Sequence, residues 1–372
     1  MVIRMESKKK KVKILNLVIL LFSATLFLIS CTKKQPTEVP EPEKKALSYK
    51  EIPIDYESFR KVIGWMSDEE VLVHTGEINN DNLSLFNIFT GEITPIYEAE
   101  SIILTAIISE DKQQVLIQVV GENGGELRII DKSGSVMQML PLETKGFVNV
   151  NWNPANKNHI FISYYQSDTE IVVGNWNLET NEVVSIPSAS LTPMWYSANL
   201  YLYVDNNDDF SLETGDLYMG DIRTNDSLRL KSQVSDFFVH EDTFITYTPS
   251  DFADDELLLN YQYPFMVDQS FMAIPKVTMN DRLVFPYLSQ AARNTPVYGV
   301  FAKEAVQLEL KTGDFEFGKL NFDHKTIEPI LDLPDNAPIS IAKNGKYSLY
   351  GWRYESIIDI EQQTIYSLID MP

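Results

Sequence analysis

Residues 148–186 read VNVNWNPANKNHIFISYYQSDTEIVVGNWNLETNEVVSI. An apolar run, Ile160-Phe161-Ile162-Ser163-Tyr164-Tyr165, sits between a polar turn at Trp152-Asn153-Pro154-Ala155-Asn156 and a polar loop at Ser167-Asp168. Its β-branched and aromatic residues favour a strand. Asn177, followed by Thr180-Asn181, ends another strand in a turn. This grammar recurs along the chain. A strand ending in Asp or Asn before a polar turn appears at Asn87, Asp131, Asn177, Asp221, Asn321 and Asp359, and the first three steps are 44, 46 and 44 residues. Polar turns between the first two strands of each unit fall near Asp68, Asp111, Ala155, Ala198, Glu241, Asp281 and Asn344, with steps of 43, 44, 43, 43, 40 and 63. No amphipathic helical pattern is sustained over a dozen positions.

A period in the low forties with four strands per unit predicts the blades of a β-propeller. A lone four-stranded unit cannot bury both faces, whereas stacking around an axis buries them against neighbours. The expectation is an all-β body over residues 47–372, built of four-stranded blades, seven by this count, with six or eight also compatible. A pair of β-sandwiches is disfavoured by the even spacing. The fifth unit lacks a clean third turn near 265–274, and the sixth is long, with an insertion read at 286–313 between its second and third strands. Trp65, Trp152 and Trp195 hold equivalent places before a first turn and are expected to fill the wedge between blades.

The N-terminus reads differently. Arg4, Lys8, Lys9, Lys10, Lys11 and Lys13 precede an apolar run from Ile14 to Ile29. A basic head and a short apolar stretch are secretory-signal features, and the run falls short of the ~20 residues that comfortably span a bilayer. It ends in Leu28-Ile29-Ser30-Cys31, which resembles the lipobox of bacterial lipoproteins. That resemblance implies a signal peptide at 1–30, cleavage before Cys31, and lipid on Cys31, the only cysteine in the chain. Two or three acyl chains hold a protein stably where one is marginal. Residues 32–46 read TKKQPTEVPEPEKKA. Pro36, Pro40 and Pro42 with almost no apolar content predict a solvated tether over 31–46, reaching about 45 Å at ~3.1 Å per residue.

Some turns resemble a known repeat. Trp152-Asn153-Pro154-Ala155-Asn156 is similar to the aromatic-Ser-Pro-Asp-Gly turn of TolB-type propeller repeats, with weaker copies at Ile108-Ser109-Glu110-Asp111 and Trp65-Met66-Ser67-Asp68. Lipobox, tether and acidic propeller together resemble the YqgU-like β-propeller lipoproteins of Bacillus-type bacteria. The resemblance implies an exported, lipid-anchored propeller on the extracytoplasmic side of the cell membrane, and brings no catalytic residue to carry over.

Charge narrows the partners. The chain holds 31 basic and 53 acidic residues, net −22, and the body without its basic head carries 25 against 52, net −27. Such acidity argues against nucleic acid, whose affinity comes from Lys and Arg on phosphates. Of the four histidines, His74, His159, His240 and His324, no pair has the spacing that places two ligands on one helical face. Neither a Gly-x-Ser-x-Gly elbow nor a phosphate-binding glycine loop occurs, and Gly121-Glu122-Asn123-Gly124-Gly125 reads as a tight hairpin. No cofactor is implied except calcium, for which Asp205, Asn207 and Asp209 offer oxygens at alternate positions, with Asp216 at the twelfth. Phe210, however, stands where an EF-hand loop needs glycine.

The acids fall largely in loops joining second to third strands, which gather on one face. They include Asp254, Asp255 and Glu256, and the neighbouring insertion contributes Arg293, Tyr298 and Lys303 as candidate partner contacts. Two functions follow. One is a non-catalytic binding or scaffold module in the cell envelope, meeting an envelope protein or ligand at the acidic face. The other is an extracytoplasmic hydrolase or lyase acting on glycan or peptide in the propeller channel. Clustered Asp or Glu with His or Arg inside the channel would favour the enzyme, and an apolar or closed channel with a wet acidic face would favour binding.

Overall fold

The computed structural model describes residues 48–370 apart from 79, 122, 123, 145, 168, 169, 189, 207–212 and 264. Within them lie seven four-stranded antiparallel sheets, covering 59–99, 102–142, 149–185, 194–234, 236–275, 288–333 and 339–367, numbered 1 to 7 here. Each is a simple meander in which neighbours in sequence are neighbours in the sheet, save that sheet 6 is interrupted by a small extra strand. First strands touch one another between sheets 1 and 2, 3 and 4, and 6 and 7, and lie on the inner side of the ring, while fourth strands lie on the outer side.

The burial gradient explains the sequence pattern. In the second strand of sheet 1 (Glu70–Glu77), Val71, Leu72 and Val73 are all fully buried, because that strand has a neighbouring sheet against each face. Two-sided burial writes a continuous apolar run where one-sided burial writes alternation. The fourth strand of sheet 3 (Glu182–Ser185) is exposed throughout.

The Asp/Asn marker has a direct cause. At the end of each third strand but one, the side-chain oxygen accepts backbone N–H groups of the following turn. Asn87 Oδ1 takes those of Phe89 (3.0 Å) and Thr90 (2.9 Å), and Asp131 Oδ1 those of Ser133 and Ser135. Asn177, Asp221, Asn321 and Asp359 do the same for Glu179, Arg223, His324 and Gln362. These are side-chain mimics of a backbone turn. Asn181, Asn225, Lys325 and Gln363 then take the left-handed conformation four residues on, where sheet 1 uses Gly91. Sheet 5 takes the left-handed conformation at Met266 but ends its third strand on Gln262 instead of a capping Asp or Asn, which accounts for its irregular reading.

The tryptophans join sheets. Trp65, Trp152 and Trp195 are all buried. Trp195 Nε1 donates to Asn151 O (3.0 Å), on the first strand of the preceding sheet. Trp65 Nε1 makes the equivalent bond to Ser340 O (2.8 Å) on the first strand of sheet 7, so the last sheet stands before the first. One apolar cluster holds Phe59, Val71 and Phe86 of sheet 1 together with Tyr347, Leu349 and Ile357 of sheet 7. The incoming chain straps this seam. Lys50 N donates to Ile88 O, Ile52 N to Leu368 O (2.7 Å), and Tyr49 OH to Asp359 Oδ2 (2.7 Å).

Sheet 6 departs from expectation. Its first two strands are Leu288–Gln290 and Val297–Ala302, so 291–296 is its first turn and 303–314 joins its second and third strands. The extra length is a separate three-stranded sheet in which Val277–Met279 pairs antiparallel with Arg282–Leu283 and parallel with Val306–Gln307. The marker at Asp281 belongs to this hairpin. Asn280 and Asp281 both take left-handed backbone there, the chemistry of any tight two-residue turn, and so imitate a blade turn.

Ile52, 2% exposed between sheets 1 and 7, should be the weak point of the seam. Ile52→Ala is expected to cost about 3 kcal/mol, read from urea unfolding. A cost under about 1 kcal/mol would mean that the strap does not hold the ring.

Candidate functional site

The two ends of the propeller differ. First strands begin, and second strands meet third strands, at the same end. There, large apolar side chains stand in water at loop tips: Ile78 (92% exposed), Phe252 (82%), Leu310 (77%), Phe147, Tyr165 and Trp352. Among the described residues, the turns of the opposite end expose only Val267. Other exposed apolar residues lie along the outer strands, Met137, Met139, Leu228 and Phe271 among them, and are ordinary, but those in the loops gather at this end.

Five of the exposed apolar groups on this face lie where the inner strands begin, and a sixth, Trp352, stands beside one of them. Ile102 and Leu104 open the first strand of sheet 2 (Ile102–Ile108), and Met194 opens that of sheet 4 (Met194–Trp195). Phe147 and Tyr287 lie just before the first strands of sheets 3 and 6. Trp352, in the sheet 7 loop, meets Tyr287 edge-on at 6.0 Å. The mouth of the axis is therefore rimmed by apolar side chains.

One carboxylate shares this mouth. Asp236 is the first residue of the inner strand of sheet 5 (Asp236–His240). It is partly buried, and its side chain accepts one hydrogen bond, from Phe237 N at 2.8 Å. Burial pushes its carboxyl up to about 6, against that hydrogen bond. Its cross-strand partner Tyr247 is buried, and Tyr247 OH donates to Pro286 O (3.4 Å), in the connection that carries Tyr287. Further out on the same face, Glu77, Glu100, Glu143, Glu170, Asp251, Asp254 and Asp255 are exposed. Several basic side chains there are already engaged. Arg60 lies 3.8 Å from Asp81, Lys276 2.6 Å from Glu213, Lys303 2.6 Å from Asp332, and Lys311 pairs with Glu304. Lys61, on the inner strand of sheet 1, has its ammonium pushed down by burial.

The sequence-predicted residues separate into two groups. Asp254 and Asp255 line a cleft of about 450 Å³ with Glu213, Lys276 and the small sheet. Glu256 opens the third strand of sheet 5 beside them, and Lys303 lies on the same face. Arg293 is in the first turn of sheet 6, at the opposite end, paired with Asp242. Tyr298, in the second strand of sheet 6, stacks on Phe317 at 5.5 Å. The shifted reading of sheet 6 had placed both with the acids. Of the calcium set, Asn207 and Asp209 lie outside the described residues, as does Cys31. Asp205 and Asp216 are cross-strand partners, and Asp216 is engaged by Arg229 at 3.0 Å. Among the described residues no three His, Cys, Asp or Glu side chains converge to hold a metal ion.

Asp236 escaped the sequence reading. Its signal was an acid opening a strand immediately before Phe237-Phe238. The His74–Asp81 pair escaped it too. Both are buried, His74 Nε2 lies 3.0 Å from Asp81 Oδ2, and that oxygen also accepts Ile103 N (2.8 Å) from sheet 2. Burial pushes the imidazole down, outweighing the adjoining carboxylate, so the ring is neutral and donates. The pair clasps sheet 1 to sheet 2, as Gln118 clasps sheet 2 to Gly146 and Val148 ahead of sheet 3.

A propeller of four-stranded blades with an apolar mouth sets the class, and comparison with known proteins sets the family. The chain belongs to the family described as the YqgU-like 6-bladed beta propeller domain, whose model matches residues 87–351. Those residues take in five whole sheets and parts of the first and last. The chain is 24% identical over 364 residues to an uncharacterized lipoprotein, YqgU, of Bacillus subtilis, covering 95% of each. An uncharacterized protein of Listeria monocytogenes, solved at 1.18 Å, superposes with a TM-score of 0.79 at 22% identity, over 87% of this chain and 98% of that one. Oligogalacturonate lyase from Vibrio parahaemolyticus shares the fold, with a TM-score of 0.56 at 12% identity over 78% of this chain and 86% of that one.

Neutral His74 supports stability fully above its ordinary pKa of about 6.5. As pH falls below that value, the unfolded chain takes up a proton that the folded ring resists, so stability is lost. His74→Gln keeps a donor and removes the titration. The stability difference between wild type and variant should therefore shift between pH 7.5 and pH 5. A constant difference would show that His74 does not titrate on unfolding.

Proposed function

We propose that this protein is a lipid-anchored lipoprotein on the extracytoplasmic side of the cell membrane, whose propeller is a non-catalytic binding module of the cell envelope. The observation that carries the binding reading is the apolar axial mouth, exposed at one end and flanked by acidic loops. The acid–base pair best placed by distance, His74 with Asp81, is sealed between sheets 1 and 2 and its hydrogen bonds serve packing. That argues against a channel hydrolase or lyase, and the lyase likeness is one of fold alone. The anchor reading rests on Leu28-Ile29-Ser30-Cys31 and on a relative, similar over 95% of both chains, that is named a lipoprotein.

We read the ring as seven-bladed, although the family is described as six-bladed. The support is the set of seven four-stranded sheets, with the tryptophan bond of Trp65 to sheet 7 repeating that of Trp195 to sheet 3.

Two outcomes are expected. Cys31→Ser should move the protein from the membrane to the soluble fraction of fractionated cells without lowering its melting midpoint. Retention equal to wild type would refute the lipid anchor. A photo-crosslinking amino acid at Phe252 should capture a defined envelope partner in intact cells, while one at Asn181, in a turn of the opposite end, should not. Equal capture at both positions would remove the binding face from the account.

A further inference from the structure

The mouth combines three features that seldom occur together by chance. It exposes aromatic and aliphatic side chains, although the same residues turned inward would be worth roughly 1.5–3 kcal/mol each. It holds a carboxylate, Asp236, in partly buried surroundings with a single backbone donor. Among the described residues no basic side chain pairs with it. An unpaired, partly dehydrated anion is an unsatisfied group that a cation from outside would satisfy. The aromatic faces of Tyr287 and Trp352 are suited to the same cation, since ring quadrupoles attract guanidinium and ammonium groups.

We propose that the axial mouth receives a basic polypeptide segment, inserting a Lys or Arg side chain toward Asp236 between Tyr287 and Trp352 and laying apolar neighbours on Ile102, Leu104 and Met194. This rests on the binding reading and names the chemistry of its partner. A free inorganic cation would leave the apolar rim uncovered. An anionic polymer or an anionic bilayer would meet the outer acids, Asp254 and Asp255 among them, with like charge. A polypeptide supplies apolar area and cationic heads together, and arginine is among the residues enriched at interface hot spots. Among the described residues, Lys50 lies beside Ile88 and Gly91, at the end of the propeller opposite the mouth.

The test uses the full-length protein in phosphatidylcholine nanodiscs, with empty nanodiscs as the blank. Two fluorescent peptides of alternating leucine serve as probes, one carrying arginine and the other glutamate. The arginine peptide should bind at least about tenfold more tightly, and its advantage should shrink in high salt. Asp236→Asn should weaken it about tenfold or more while the melting midpoint at pH 8 holds or rises. The sign follows from the raised carboxyl: an ionised Asp236 weakens the fold above pH of about 6, and the amide removes that weakness. Trp352→Ala should also weaken binding, and Glu361→Gln, in an exposed turn of the opposite end, should leave it unchanged.

Equal binding of the two peptides, or wild-type affinity in Asp236→Asn, would overturn the proposal. If crosslinks at Phe252 still capture a partner in cells, the binding face stands and only this partner chemistry fails. If neither is seen, the binding reading itself fails.

Discussion

Burial of the second strands on both faces is the constraint on which this structure depends. Val71-Leu72-Val73, Val115-Leu116-Ile117 and Tyr201-Leu202-Tyr203 have no polar side to offer water. Each sheet therefore needs a sheet before it and one after it, and only a closed ring gives every sheet both. The seam between sheets 1 and 7 is where a linear chain meets that demand. It is closed by face packing, by the Trp65 bond to Ser340, and by the strap from Tyr49 to Ile54, with no exchange of strands between the end sheets.

Ring geometry then separates the two ends. At one end, short turns are capped by their own Asp or Asn side chains and expose almost nothing apolar. At the other, longer loops and the starts of the inner strands gather around the axis. Because the caps fix the first end so tightly, variation in length and chemistry accumulates at the second, including the small sheet of 277–283 and 306–307. Exposed apolar groups and unpaired acids coincide there. Water-exposed aromatics beside a poorly solvated carboxylate weaken a fold, and the proposed contact with a partner would cover them.

Much of this was legible in the sequence because it is local. The side-chain cap at Asn87, Asp131, Asn177, Asp221, Asn321 and Asp359 repeats in every unit that has a regular third turn, so the period could be counted. The buried tryptophans were legible for the same reason. Sheet 6 was misread because Asn280-Asp281 makes a tight turn chemically identical to a blade turn. That error carried Arg293 and Tyr298 to the wrong end. His74 with Asp81, and Asp236 at the mouth, were hidden for a different reason. What makes them notable is burial, which neighbouring sheets decide and no spacing rule encodes. The acidic face was partly legible: Asp254 and Asp255 were placed correctly, while the apolar mouth they flank emerged only when the inner strands were brought to a common axis.

The most direct measurement of the central claim is hydrogen exchange of the protein in its native membranes, compared with the purified protein in lipid alone. If the mouth is a binding face, amides of 250–255, 287–288 and 351–355 should exchange more slowly in native membranes, while the capped turns at 87–92 and 359–363 exchange alike in both. Protection of the capped turns instead, or no difference at either end, would contradict the assignment of function to the axial mouth.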